Sequence, residues 1–149
     1  MHRQAVTFLG FDYGSKLIGV AVGSRHSGLA QEVCTVKATR AGPHWEHISR
    51  LIGEWKPQAL VVGLPRNMDD SPNPMTKAAR QFGKQLGDRY NLPVHMVDER
   101  LTTVAAKVTL SESGVPVRRH KAKVDSFAAK TILQAFLDER SRTDLPTAG

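Results

Sequence analysis

The stretch FLGFDYGSKLIGVAVG, residues 8–23, constrains the fold more than any other part of the chain. Two apolar runs, residues 5–11 and 17–22, flank a turn of Tyr13, Gly14, Ser15 and Lys16, the pattern of a β-hairpin. Asp12 stands at the tip of the first run. A carboxylate at the edge of a buried strand has to be solvated, paired or bound to a cation, because stripping it of water otherwise costs several kcal/mol. The surroundings decide between these.

A third run, near residues 29–37, extends the meander. The period then changes. Trp45, Ile48, Leu51, Ile52 and Trp55 recur at helical spacing, with Pro43 suited to the first turn and Pro57 closing the end. ALVVGL, residues 59–64, is the continuous apolar run of a strand covered on both faces. After the turn-rich PRNMDDSPNP, a second helix is marked by Met75, Ala79, Phe82, Leu86 and Tyr90. PVHMV, residues 93–97, is a further strand ending at Asp98, Glu99 and Arg100. A third helix is expected over residues 103–112, stopped by Gly114, and the longest follows, with Val124, Phe127, Ala128, Thr131, Ile132, Ala135 and Phe136 on one face. Three antiparallel strands followed by β-α-β-α predict an α/β fold, a mixed sheet of five strands with helices on both faces.

A chain of 149 residues buries one core, so one domain is expected, and the closing SRTDLPTAG reads as a flexible tail. Twenty-one Lys and Arg against fourteen Asp and Glu give a net charge of +7, which favours a polyanionic partner. The lone Cys34 excludes an internal disulfide and leaves no cysteine pair for zinc, which suits a reducing cytoplasm. His44 and His47 are helix-spaced but lack a third ligand, and read as solvent-facing. No segment offers the roughly 20 apolar residues of a membrane span, and the N-terminus has no signal-peptide core. A cytoplasmic protein with no membrane partner is expected.

In open sheets of this kind, sites gather at the carboxyl ends of parallel strands. Asp12 ends the first strand and Glu99 the last, so both reach one edge if those strands are parallel and near. Asp125 precedes the apolar Ala129 and Ile132 by four and seven residues, the spacing of the helix flank that faces the sheet. Each acid alone is accounted for as a solvated carboxylate. Three together repel one another and raise their pKa values unless a cation intervenes. Mg²⁺ or Mn²⁺, hard ions that prefer oxygen, would remove that difficulty and activate water against a phosphodiester. Ahead of Asp125 lie Arg118, Arg119, His120, Lys121 and Lys123. Cations at a helix start oppose its dipole, and as a group they read as a grip on phosphates flanking a scissile bond.

DYGSKLIGVAVG, VVGLPRNMD, VDERLTT and KAKVDSFAA, in that order, resemble the motifs of the YqgF/RuvX family, bacterial pre-16S rRNA nucleases and Holliday junction resolvases. The resemblance covers about residues 6–137. It implies an RNase H-like domain over residues 1–140, followed by the tail 141–149. It further implies that Asp12, Glu99 and Asp125 are the catalytic, metal-binding carboxylates, with Asp98 the alternative to Glu99, since strand alternation sends adjacent side chains to opposite faces. Gly14, Lys16, Asn67 and Arg100 lie within these motifs and join Arg118, Arg119, Lys121 and Lys123 as expected substrate contacts. Without a Cβ, Gly14 is free to take positive φ and let metal or phosphate approach.

Two positions depart from the pattern. Asp70 stands where family members usually carry glycine. Many RNase H-like nucleases bring a fourth carboxylate, and here the positions three and four after Asp125 are Ala128 and Ala129. The resemblance implies a metal-dependent endonuclease that matures the 5′ end of pre-16S rRNA, a monomer or weak dimer. Holliday junction resolution on branched DNA and non-catalytic RNA binding are the alternatives. A D-x-G turn also cradles phosphates in actin-like and sugar-kinase ATPases, but those close two domains over a nucleotide and this chain has length for one. It also has no G-x-x-x-x-G-K-[ST] loop.

Overall fold

The computed structural model describes residues 6–65, 73–99 and 117–144, the last segment with side chains over 127–140. Its elements run β1 (Thr7–Asp12), β2 (Leu17–Ser24), β3 (Ala30–Thr39), β4 (Gly42–Pro43), α1 (Trp45–Trp55), β5 (Ala59–Leu64), α2 (Pro74–Tyr90), β6 (Val94–Asp98) and α3 (Val117–Asp144). The strands form one sheet in the order β4-β3-β2-β1-β5-β6. Pairing is antiparallel from β1 through β4, whereas β1, β5 and β6 are mutually parallel. The mixed sheet is as expected, with six strands in place of five. The added strand is β4, where Gly42 and Pro43 pair with Thr39 and Ala38. Pro43 therefore belongs to an edge strand, where its missing N–H costs no ladder bond, and α1 begins at Trp45 with His44 at its N-cap.

Strand alternation sorts the core into two faces. Leu9 and Phe11 of β1, with Ile18, Val20 and Val62, pack against Ile48 and Leu51 of α1 and Phe82 and Leu86 of α2. Phe8, Ala21 and Val61 pack instead against Ala129, Ile132, Leu133, Phe136 and Leu137 of α3. The second face is notably flat. A Cβ on Gly10 would stand 2.9 Å from the Leu133 Cβ and 3.4 Å from the Ala129 carbonyl oxygen, so the helix rests almost directly on the strand. That close approach draws Leu133 and Leu137 into the buried face, while the predicted Ala128 and Ala135 are only half-buried.

The start of α2 is fixed by Asn73, whose side chain accepts from the Thr76 backbone N–H while Thr76 Oγ1 accepts from the Asn73 N–H, a reciprocal capping box. Thr76 is fully buried and its hydroxyl donates to the Pro65 carbonyl, tying the helix to the end of β5. Helical backbone in α3 continues through Asp144, four residues past the expected end of the domain at 140. The helix expected over 103–112 lies outside the described residues. Among the described residues no helix is long and apolar enough to cross a membrane.

Candidate active site at the carboxyl edge of the sheet

Because β1, β5 and β6 run parallel, their carboxyl ends share one edge. Register places Phe11 opposite Val62, Gly63 opposite Val97 and Leu64 opposite Asp98, so Asp12 comes level with Gly63 and Val97. Parity then decides direction. Asp12 follows Phe8 and Gly10 toward α3. On β6, Met96 lies against Gly83 of α2. Its neighbours His95 and Val97 face α3, the His95 ring 5.0 Å from that of Phe136. Asp98 shares the parity of Met96, and Glu99 that of His95 and Val97.

The Glu99 carboxylate accordingly lies over Gly63. A Cβ there would come within 2.8 Å of Glu99 Oε1 and 2.5 Å of Ile132 Cδ1, so only glycine leaves room for the acid. Asp12 and Glu99 meet through a side-chain hydrogen bond. Burial, first, then that hydrogen bond and the like charge of Glu99 push the Asp12 carboxyl up to about 9. At neutral pH Asp12 thus keeps the proton it shares with Glu99. Between the alternatives Asp98 and Glu99, it is Glu99 that the fold brings to Asp12.

An all-oxygen pair that retains a proton suits a hard divalent cation, which would displace that proton. Among the described residues no group of three or more His, Cys, Asp or Glu side chains is arranged to hold a metal ion. Asp125 falls within the helical backbone of α3, four residues before Ala129, and its side chain lies outside the described residues. The same holds for Arg118, Arg119, Lys121 and Lys123, which occupy the first two turns of α3 rather than leading into it. Asn67, Asp70 and Arg100 lie outside the described residues.

Lys16 is exposed in the turn that follows Asp12, its carbonyl accepting from Ala38 N–H at 2.9 Å. Gly14 is needed there for a different reason from the one expected. Positive φ among described glycines occurs at Gly28 and Gly42 only. At Gly14 the constraint is close approach, since any Cβ would strike the Leu17 carbonyl oxygen. His44 is exposed as expected, but His47 is half-buried with Nε2 3.9 Å from Cys34 Sγ. Sequence reasoning missed Gly63 and Thr76 as residues that shape this edge. The N-P-x-T spacing at 73–76 was the available signal for the second.

The RuvX family, described as Holliday junction resolvase, matches residues 6–139. A protein of Pseudomonas putida named "Putative pre-16S rRNA nuclease" is 50% identical over 131 residues, covering 87% of this chain and 93% of its own length. One of the same name from Pseudomonas aeruginosa is 48% identical over 131 residues, covering 88% and 91%. Among solved structures, Thermus thermophilus RuvC in complex with Holliday junction substrate superposes with a TM-score of 0.53 at 16% identity, covering 93% of this chain and 97% of that one. Fowlpox virus resolvase with Holliday junction DNA gives 0.53 at 12% identity, covering 91% and 99%. At those identities the likeness is one of fold, and the fold is RNase H-like.

Proposed function

The chain belongs to the RuvX family, and from that premise we propose a metal-dependent nuclease that cuts RNA phosphodiesters in maturing the 5′ end of pre-16S rRNA. The observation that carries the proposal is the Asp12–Glu99 carboxyl pair on the α3 face of the sheet edge. In this reading Asp12, Glu99 and Asp125 hold Mg²⁺ or Mn²⁺. When bound, that ion lowers the pKa of a water and offsets charge on the phosphate under attack.

The packing gradient along β1 supports placing Asp125 with the pair. Phe8 meets Phe136 with ring centroids 5.2 Å apart, and two residues on Gly10 meets Leu133 and Ala129. Two strand residues advance about 7 Å, or roughly five residues of helix at 1.5 Å each. A further two strand residues, to Asp12, bring α3 to about residue 126 by the same count. The side chains of this chain then divide the work. Asp12 and Glu99 bind and orient, Gly63 and Ile132 hold the Glu99 carboxylate in place, and Gly14 keeps the turn tight beside it. Lys16 and the cations at 118–123 engage phosphates on either side. The protein works in the cytoplasm, where precursor rRNA is found.

Resolution of branched DNA is the second reading, favoured by the fold shared with RuvC. Labelled precursor rRNA and a four-way DNA junction, each with Mg²⁺, Mn²⁺ or chelator, separate the two. The expected result is metal-dependent cleavage of the RNA in preference to the junction. Paired symmetric nicks in the junction without RNA cleavage would reverse the assignment.

A further inference from the structure

At the opposite pole, where the parallel strands begin, the molecule has a cavity of about 480 Å³. That lies within the range of roughly 300–1,000 Å³ for small-ligand sites. Its floor is apolar, formed by Phe8 and Leu137 among others, and its polar wall comes from Arg25, Gln58, His95 and Arg140. None of the described lining residues is acidic. Gln58 and Arg140 are held in place. Gln58 Oε1 accepts from the Thr7 N–H at 2.6 Å, so the amide nitrogen is the end left for other partners. Arg140 lies over the Phe136 ring, Cζ 5.1 Å from its centroid, with Nη2 3.4 Å from His95 Nε2. Burial and the neighbouring Arg140 lower the His95 pKa, leaving that ring neutral and able to accept from the guanidinium. Arg25 makes other interactions of its own, and a guanidinium has five N–H groups to share.

Planar guanidinium forks match phosphate oxygens, and an apolar floor beside them matches a base. We propose that this cavity between Arg25, Gln58, His95 and Arg140 binds a nucleotide, phosphate on the arginines and base against Phe8 and Leu137. Phe8 in its lining stands four strand residues from Asp12, about 13 Å along β1. The nucleotide is either a residue of a nucleic-acid strand, the case that rests on the nuclease reading, or a free nucleoside monophosphate.

The test is binding by the full chain in chelator, so that cleavage plays no part. Adenosine 5′-monophosphate and a short single-stranded RNA are titrated while the His95 ring resonances are followed by NMR. We expect saturable shifts of His95, with affinity at least about tenfold weaker in Arg25→Ala and in Arg140→Lys, the latter keeping the charge and the stem but losing the fork. Competition between the two ligands, or shifts from RNA alone, identifies a strand contact. Monophosphate binding that RNA does not displace identifies a free-nucleotide site. His95 resonances unmoved by either ligand, or affinities unchanged in both variants, would overturn the proposal. A chain that cuts no RNA would leave the monophosphate result standing, so the two proposals fail separately.

Discussion

Beneath α1 and α2 the sheet offers volume: Phe11 meets Phe82 at 5.7 Å between ring centroids, and Tyr13 meets it at 4.9 Å. Beneath α3 it offers bare backbone, with Gly10 against Leu133 and Gly63 against Ile132. One face is held by large side chains filling space. The other brings helix and strand into direct approach, and the acids of the edge, Asp12 and Glu99, point to that second face. The proposed site, which draws on a helix and two strands, is served by nearness, whereas the opposite face is free to supply stability through bulk.

The largest expected effect attacks the close face at its chemistry. Asp12→Asn keeps shape and removes the charge, and cleavage of precursor rRNA should fall on the order of 10³-fold or more, with an unchanged circular dichroism spectrum. Cleavage at the wild-type rate would remove Asp12 from the mechanism.

A pair of substitutions then sets the faces against each other. Phe82→Ala empties the bulky face and should cost about 3–5 kcal/mol, while the folded fraction still cuts RNA. Gly63→Ala should cost less, about 1–3 kcal/mol, yet reduce turnover more, because its methyl occupies the space of the Glu99 carboxylate. Urea melts and cleavage rates below the transition test both. If the two variants lose activity in proportion to stability, the division between faces is wrong.

The smallest effect concerns pH. The Asp12 carboxyl is raised in the fold from its ordinary 3.8 to about 9. Its contribution to stability is therefore intact below pH 4 and lost as pH rises from there through 9. Metal-free protein should melt lower at pH 8 than at pH 5. Asp12→Asn lacks this slope and should be the more stable of the two at pH 8. Mg²⁺ should stabilise the wild type and leave the variant unmoved. Parallel pH curves for the two proteins would show that Asp12 carries no such burden.

Much of this architecture was readable in the chain. ALVVGL announced a strand buried on both sides, and all six of its residues are buried. The alternation that separates Asp98 from Glu99 is a property of any strand, but which face each would meet needed the position of α2 and α3. The approach of Asp12 to Glu99 needed the order β1-β5-β6, which periodicity does not encode. β4 escaped because proline also favours a first helical turn. The cavity at the far pole had no signal at all, since Arg25, Gln58, His95 and Arg140 come from four separate segments with no common spacing.

The hydrogen bond from Thr76 to the Pro65 carbonyl has a consequence for how such a chain can diversify. It fastens Pro65, just past the end of β5, to Thr76 in the first turn of α2, so the two ends that bracket residues 66–72 are held by the fold. Holding those ends together thus does not depend on the sequence between them. Doubling its length would add only about 0.6 kcal/mol of closure entropy. Exchanges or insertions between Pro65 and Asn73 should therefore cost little stability, so the chain between two fixed ends is free to vary without a rebuilt core.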